Sequence, residues 1–149
     1  MKKHFNLVLM SLLGLLIMTG ACSNEAYDEL PGSVSSFLAQ YFPGLKVKDY
    51  TKLSDDSQII QLSGGPTLIF DAEDQWTEID GNGSMLPQVL MFDQLPPQLY
   101  DYLQSIEQQS DVIAVKRDNY YYKLTMSDTV ITYDISTGDI TYPQAAPDN

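Results

Sequence analysis

The chain has 149 residues, of which 20 are acidic and 8 are basic, so its formal net charge at pH 7 is −12. This acidity argues against a surface that neutralises nucleic-acid phosphates and against adhesion by charge to anionic lipids. A single cysteine allows no internal disulfide, and the length suits one domain with its own hydrophobic core.

Residues 1–21 have the pattern of a signal peptide. Lys2 and Lys3 precede an apolar run from Leu7 to Met18, and small residues follow it. The run is shorter than the roughly 20 residues that a transmembrane helix requires. Loss of this segment removes two of the eight basic residues and leaves a net charge of −14.

Cys22, the only cysteine, follows directly, and "TGAC" resembles a bacterial lipobox. Lipid attachment at Cys22 predicts an exported protein that is anchored to the outer membrane, or displayed on the cell surface, and meets the membrane only through its N-terminal lipid. Simple secretory cleavage after Ala21, which leaves a free thiol, is the alternative. Residues 22–29 are polar and acidic and form a predicted tether.

Two amphipathic helices are predicted, in residues 30–42 and 95–107. Their apolar residues recur at i, i+3, i+4 and i+7, which places them on one helical face. These residues are Val34, Phe37, Leu38 and Tyr41 in the first helix and Leu99, Tyr102, Leu103 and Ile106 in the second. Both segments begin with Leu-Pro, and Pro is well tolerated at a helix start. Their alignment predicts an internal repeat.

Each helix is followed by four predicted β-strands, which are short alternating runs bounded by turn residues. The first four are "LKVKDY", "QIIQL", "TLIF" and "WTEI", and the second four are "VIAVK", "YYYKLTM", "VITY" and "DITY". Each repeat is therefore predicted to be one helix followed by about four antiparallel strands. Repeat one spans residues 30–83 and repeat two spans residues 95–142, and residues 143–149 form a tail.

The stretch "LIFDAEDQWTEIDGNG", residues 68–83, carries five acidic side chains and the only tryptophan. The acids fall at predicted turn tips, whereas paired catalytic carboxylates converge across a cleft. No histidine follows the leader, and neither Gly-x-Ser-x-Gly nor Ser-x-x-Lys occurs. We therefore predict no enzymatic activity, no catalytic residue and no cofactor.

A calcium loop is an alternative interpretation of the end of this stretch. Asp80, Asn82 and Ser84 fall at positions 1, 3 and 5 of an EF-hand-like loop, but positions 6 and 12 are Met85 and Met91. Turns around a strand explain the same spacing without a metal. We predict turns and no metal site.

The chain resembles the PepSY-like lipoprotein family with a β-lactamase-inhibitor-protein-like fold. The resemblance rests on the leader and on two patterns, "LP..V..F....FPG" and "FD....W..IDG.G", and it covers a domain of residues 30–142. In the second half "SDVIAV" replaces "FPGLKV", and Asp139 occupies the place of Trp76. The family implies an α+β fold, with tandem helix-plus-four-stranded antiparallel repeats joined in one curved sheet and the helices on one face.

The resemblance also implies the class of function, because related PepSY modules often inhibit peptidases or serve as their pro-segments. The prediction is a non-enzymatic envelope lipoprotein, acting as a protein-binding or inhibitory module through its open sheet face. Its partner would be an envelope or surface protein, with peptidases and other hydrolases as candidates, and not a nucleic acid. The alternative is an accessory component of a surface glycan-uptake or adhesion complex.

Strand alternation predicts the side chains on the open face. If Leu68 and Phe70 face the helices, Ile69 points outward, and so do Trp76 and Glu78. The predicted protein-binding residues are Trp76, Tyr50, Tyr121, Ile69 and Ile59. Exposed Trp and Tyr are typical interface anchors. In the alternative, a one-residue bulge inverts the alternation and Trp76 fills the core.

Overall fold

The computed structural model of the chain describes residues 25–142. In its first half, α1 (Glu25–Asp28) and α2 (Gly32–Tyr41) precede β1 (Val47–Lys52), β2 (Gln58–Leu62), β3 (Thr67–Phe70) and β4 (Trp76–Asp80). In its second half, α3 (Gln88–Gln94) and α4 (Pro97–Ser105) precede β5 (Ala114–Arg117), β6 (Tyr121–Thr125), β7 (Val130–Asp134) and β8 (Ile140–Thr141). Both long helices and all eight strands were predicted, apart from shifts of a few residues at their ends.

The strands form one open antiparallel sheet in the order β1 to β8. The two halves are joined by β4 and β5, where Ile79 pairs with Val115 and Asp80 pairs with Ala114. Every connection within a half is a hairpin, so consecutive strands are always neighbours. The prediction of an α+β fold with a single antiparallel sheet is confirmed.

The hydrophobic core lies between the helices and one face of the sheet. Inward positions alternate with outward ones along the strands, as a half-buried strand requires, except at one extra residue in each of β1 and β4. The inward strand residues include Ile60, Leu62, Leu68, Phe70, Ile79, Val115, Leu124 and Ile131, and the helices contribute Val34, Leu38, Leu99 and Leu103. The predicted apolar helix faces are buried at these four residues and at Tyr41, whereas Phe37, Tyr102 and Ile106 are only partly buried.

Two short helices were not predicted. Helix α3 lies between the two predicted repeats, in a segment without a predicted element, and it buries Leu90 and Met91 completely. Helix α1 lies inside the predicted tether, where Ala26 and Tyr27 pack against the core and the Tyr27 hydroxyl donates to the Ser35 carbonyl at 2.9 Å. Residues 25–28 are therefore not an extended polar tether.

The other predictions about the termini fall outside the described residues. These are the signal peptide at 1–21, the lipid on Cys22 and the tail at 143–149. Within residues 25–142, no helix is both long enough and apolar enough to cross a bilayer.

Candidate functional site

A β-bulge in β4 decides the position of Trp76. Ile69 pairs with Glu78, but the next pair is Phe70 with Trp76, so Thr77 is an extra residue without a partner position. An extra residue reverses the alternation. Trp76 is consequently on the core side and only 3% exposed. The prediction that Trp76 lies on the open face is wrong, and the alternative of a bulge with Trp76 in the core is correct.

Trp76 connects the sheet to the helices. Its indole Nε1 donates to Gln94 Oε1 at 2.8 Å, and Gln94 Nε2 donates to the Tyr41 hydroxyl at 2.8 Å. The Tyr41 hydroxyl in turn donates to Asp93 at 3.1 Å, and burial raises the pKa of Tyr41. On the other side of the indole, the Arg117 guanidinium lies 4.1 Å from the ring centroid. A buried indole N–H requires a hydrogen-bond acceptor, which Gln94 supplies here. Trp76 therefore has a structural role in the core.

Tyr50 was also predicted outward, and this too is wrong. A second register shift, between Val47 and Asp49, leaves Lys48 as the extra residue of β1. Tyr50 is therefore opposite the buried Ile60 and is half-buried against the core. Its hydroxyl donates to Gln58 Oε1 at 3.3 Å.

The open face, the side of the sheet opposite the helices, carries one continuous row of outward side chains across all eight strands. We call it the central row: Thr51, Ile59, Ile69, Glu78, Lys116, Lys123, Thr132 and Thr141. None of these side chains is buried. Ile59 and Ile69, directly opposite each other, point outward as predicted. Tyr121, two residues before Lys123 in β6, also points outward as predicted and is 46% exposed.

Two hollows lie on the open face on either side of the Lys116–Lys123 pair. The first has a volume of about 330 Å³, and its lining includes Glu78, Asp80, Ala114, Lys116, Lys123 and Thr125. The second has a volume of about 240 Å³, and its lining consists of Lys116, Arg117, Asp118, Tyr121, Lys123 and Thr132. Because both lysines border both hollows, they are the centre of the candidate site.

At Lys116 and Lys123 the central row carries more positive than negative charge. The Lys116 ammonium contacts Glu78 at 3.1 Å, and the Lys116 side chain is 66% exposed. Lys123 is directly opposite Lys116 in the neighbouring strand and takes part in none of the ion pairs found in residues 25–142. Like charges at directly opposite positions repel each other. The arrangement therefore leaves one cationic group free to receive an anion.

The acidic stretch forms turns around β4. One Asp71 oxygen accepts the backbone N–H groups of Glu73 and Gln75, and Asp80 accepts the N–H of Asn82 at 2.7 Å. Gly81 is required, because a Cβ there would lie 2.0 Å from the Ser84 carbonyl oxygen. In the part of the chain that the structure describes, no three His, Cys, Asp or Glu side chains converge to hold a metal.

The same turn chemistry occurs beside the second hollow. The Asp118 carboxylate accepts the backbone N–H groups of Tyr120 and Tyr121 at 2.7 and 2.8 Å. These two hydrogen bonds hold the pKa of Asp118 below its ordinary value of 3.8. Asp118 therefore keeps its charge and orders the β5–β6 turn next to Tyr121.

Sequence reasoning missed Lys116 and Lys123. The signal was present, because Val115 and Leu124 are apolar residues of predicted strands, and alternation from them turns both lysines outward. The predicted set consists of aromatic and apolar residues, among them Trp76 and Tyr50, and therefore leaves out the two lysines. The structure assembles Ile59, Ile69 and Tyr121 with the two lysines and separates them from Trp76 and Tyr50.

Comparison with known proteins identifies the fold. No family model matches the chain, and no curated protein matches it. A solved structure from Bacteroides thetaiotaomicron, named as a candidate calcium-regulated periplasmic protein, is 21% identical with a TM-score of 0.64, over 77% of this chain and 92% of that chain. A candidate periplasmic protein of the DUF2874 family from Bacteroides vulgatus is 23% identical, with the same TM-score and coverage.

A third similar structure, also from Bacteroides vulgatus, is named as a candidate periplasmic protein of unknown function. It is 20% identical with a TM-score of 0.64, over 78% of this chain and 93% of that chain. At these identities the likeness establishes a shared fold and no shared activity.

Proposed function

We propose that the protein is a non-enzymatic envelope lipoprotein that binds another protein, as a binding or inhibitory module, through the open face of its sheet. One observation carries the proposal. The helices cover one face of an eight-stranded sheet, and the other face presents the central row across its whole width with no buried member. A broad uncovered sheet face with hollows and apolar side chains is typical of a recognition surface.

The composition of the open face favours a protein partner. Ile59 and Ile69 form an apolar pair on β2 and β3, Tyr121 adds an exposed aromatic ring on β6, and the charged residues lie between them. Apolar and aromatic contacts next to polar groups are the usual composition of protein interfaces. The net charge of −12 disfavours a nucleic acid.

Export and lipid anchoring belong to the same proposal. The signal-peptide pattern and Cys22 support attachment to the outer membrane, and the names of the three similar structures describe periplasmic proteins. The resemblance to PepSY-like lipoproteins supports a peptidase or another hydrolase as the partner. It also supports a relation between the two halves as divergent repeats, each a helix followed by four strands.

A photo-crosslinking experiment tests the proposal. A photoreactive amino acid replaces Ile69 or Tyr121 on the open face, and Ser36, exposed on α2, provides a matched control position on the opposite side. In cells, the two open-face positions should crosslink to the same envelope protein, whereas position 36 should not. Equal crosslinking at position 36, or none at either open-face position, would overturn the proposal.

The identity of the crosslinked protein separates the proposal from its alternative. A peptidase or other hydrolase supports a binding or inhibitory module. Surface lipoproteins of an uptake or adhesion assembly support the accessory role instead. Purified hydrolase, assayed with and without the protein, then distinguishes inhibition from binding alone.

A further inference from the structure

The Lys116–Lys123 pair concentrates scarce positive charge on the open face. The chain has 8 basic residues, of which two lie in the predicted signal peptide, and the remaining six face 20 acidic residues. Two of these six are directly opposite each other in β5 and β6, and among residues 25–142 only Glu78 forms an ion pair with either of them. Repulsion between the two ammonium groups is relieved when an anion binds between them.

The second hollow determines the kind of anion that fits. Its lining consists of Tyr121, Thr132, Arg117, Asp118 and the two lysines, whose stems are aliphatic. The backbone N–H groups in this part of β5 and β6 belong to the sheet ladder, so the hollow lacks the N–H nest that commonly binds phosphate. Arg117 also lines this hollow, but its guanidinium lies 4.1 Å from the centroid of the buried Trp76 ring, and its Nε donates to the Trp76 carbonyl at 2.7 Å.

A carboxylate suits this site better than a phosphate does. Two ammonium groups supply enough donors for one carboxylate, and the apolar walls suit the carbon atoms that carry it. Two carboxylates, Glu78 and Asp80, line the neighbouring hollow, whereas one, Asp118, lines the second hollow, and an oxygen of Asp118 already accepts two backbone N–H groups. The second hollow therefore repels an anion less than the first does. The two hollows together therefore favour a bound peptide that places an acidic residue in the second hollow and a neutral or hydrogen-bond-donating residue in the first.

We propose that the open face recognises an acidic peptide segment of its protein partner. One Asp or Glu carboxylate binds between Lys116 and Lys123, and an adjacent apolar side chain packs on Tyr121 and Thr132. The proposal rests on the proposed function, because it names the chemistry of the partner that the open face binds.

A titration followed by NMR tests the proposal. The folded chain, with residues 1–21 removed and ¹⁵N-labelled, is titrated with acetyl-Leu-Glu-Leu-amide, acetyl-Leu-Gln-Leu-amide and inorganic phosphate. The Glu peptide should shift the amide signals of β5, β6 and β7, and the Gln peptide should bind roughly tenfold more weakly, because it loses a charge-assisted hydrogen bond. Equal affinity for the two peptides, or tighter binding of phosphate, would overturn the proposal.

Two variants complete the test. Lys123→Gln should weaken binding of the Glu peptide roughly tenfold, and it should not lower the thermal midpoint, because it removes a repulsion. Lys52→Gln, an exposed lysine of β1 that pairs with Asp56 at 3.0 Å, should leave peptide binding unchanged. Unchanged binding by Lys123→Gln, or equal loss by Lys52→Gln, would contradict a role for the pair.

The photo-crosslinks separate failure of this proposal from failure of the proposed function. Lys123→Gln should weaken the crosslink from position 69 to the partner. If that crosslink persists at full strength in the variant, a protein partner still binds the open face and acidic recognition is wrong. If the wild-type chain gives no crosslink from the open face, both proposals fail.

Discussion

A single unpaired residue, Thr77, determines the role of the only tryptophan. Without the bulge, Trp76 would stand beside Ile69 on the open face, and Thr77 would point into the core. With the bulge, both Trp76 and Ile79 are buried, and the indole contacts groups from α3 and β5. The bulge therefore converts a candidate interface residue into a core residue.

Truncation of Trp76 should be strongly destabilising. Trp76→Ala removes a nearly fully buried indole and should lower the free energy of unfolding by about 3–5 kcal/mol. Trp76→Phe keeps much of the volume but loses the N–H that donates to Gln94, so its loss should be smaller. Urea denaturation of the variants, with Tyr121→Ala as an exposed control, measures these differences. A Trp76→Ala protein as stable as wild type would contradict the buried position.

At the scale of elements, sequence periodicity identified the long helices and the strands. Helix α2 buries Val34, Leu38 and Tyr41, which are three of the four residues on its predicted apolar face. Such patterns are reliable because burial repeats with the geometry of the element. Helix α3 escaped prediction because it has only seven residues, and its exposed Val89 and Phe92 blur the separation of polar and apolar faces.

The candidate site was only half predictable for a related reason. Alternation correctly placed Ile59, Ile69 and Tyr121 outward, because no bulge interrupts β2, β3 or β6 between these residues and their reference positions. It failed for Trp76, which precedes the extra residue Thr77, and for Tyr50, which follows the extra residue Lys48. A bulge has no dependable signature in a single sequence, since its cause is the fit between two strands and the turn that joins them.

Helix–sheet packing predicts matched losses in the two long helices. Leu38 in α2 is 3% exposed and Leu103 in α4 is fully buried. Leu38→Ala and Leu103→Ala should each lower the free energy of unfolding by about 2–5 kcal/mol, through lost burial and the cavity that remains. Ser36→Ala and Gln104→Ala, exposed positions in the same helices, should change it by less than about 0.5 kcal/mol. Similar small effects at all four positions would argue against this packing.

At the scale of the whole molecule, the two halves share one sheet and one core. The β4–β5 pairing is continuous with the hairpins on either side, and the buried residues of both halves form one cluster. Trp76 in β4 also contacts Arg117 and Tyr122, which belong to the second half. The halves are therefore expected to unfold together.

Chemical denaturation should show this cooperativity. Trp76 fluorescence reports the junction of the halves, and far-UV circular dichroism reports the sheet and helices throughout. Both signals should give one transition with the same midpoint and the same dependence on denaturant, as in a two-state protein. Two separated transitions would indicate that each half folds on its own.

The bulge in β4 compensates for a turn that is one residue shorter than the corresponding turn of the second half. Five residues separate Phe70 from its partner Trp76, whereas six separate Tyr133 from its partner Ile140 in the corresponding hairpin of the second half. Thr77 makes up the missing residue, so Ile69 to Glu78 and Thr132 to Thr141 span equal lengths of chain. An ungapped alignment of the two hairpins would therefore match Thr77, the extra residue of the bulge, with Ile140, whose side chain packs against the core. A correct alignment needs one gap in the turn and one at the bulge. If distant relatives are aligned without these two gaps, the core residues of the hairpin are mismatched and the similarity is underestimated there.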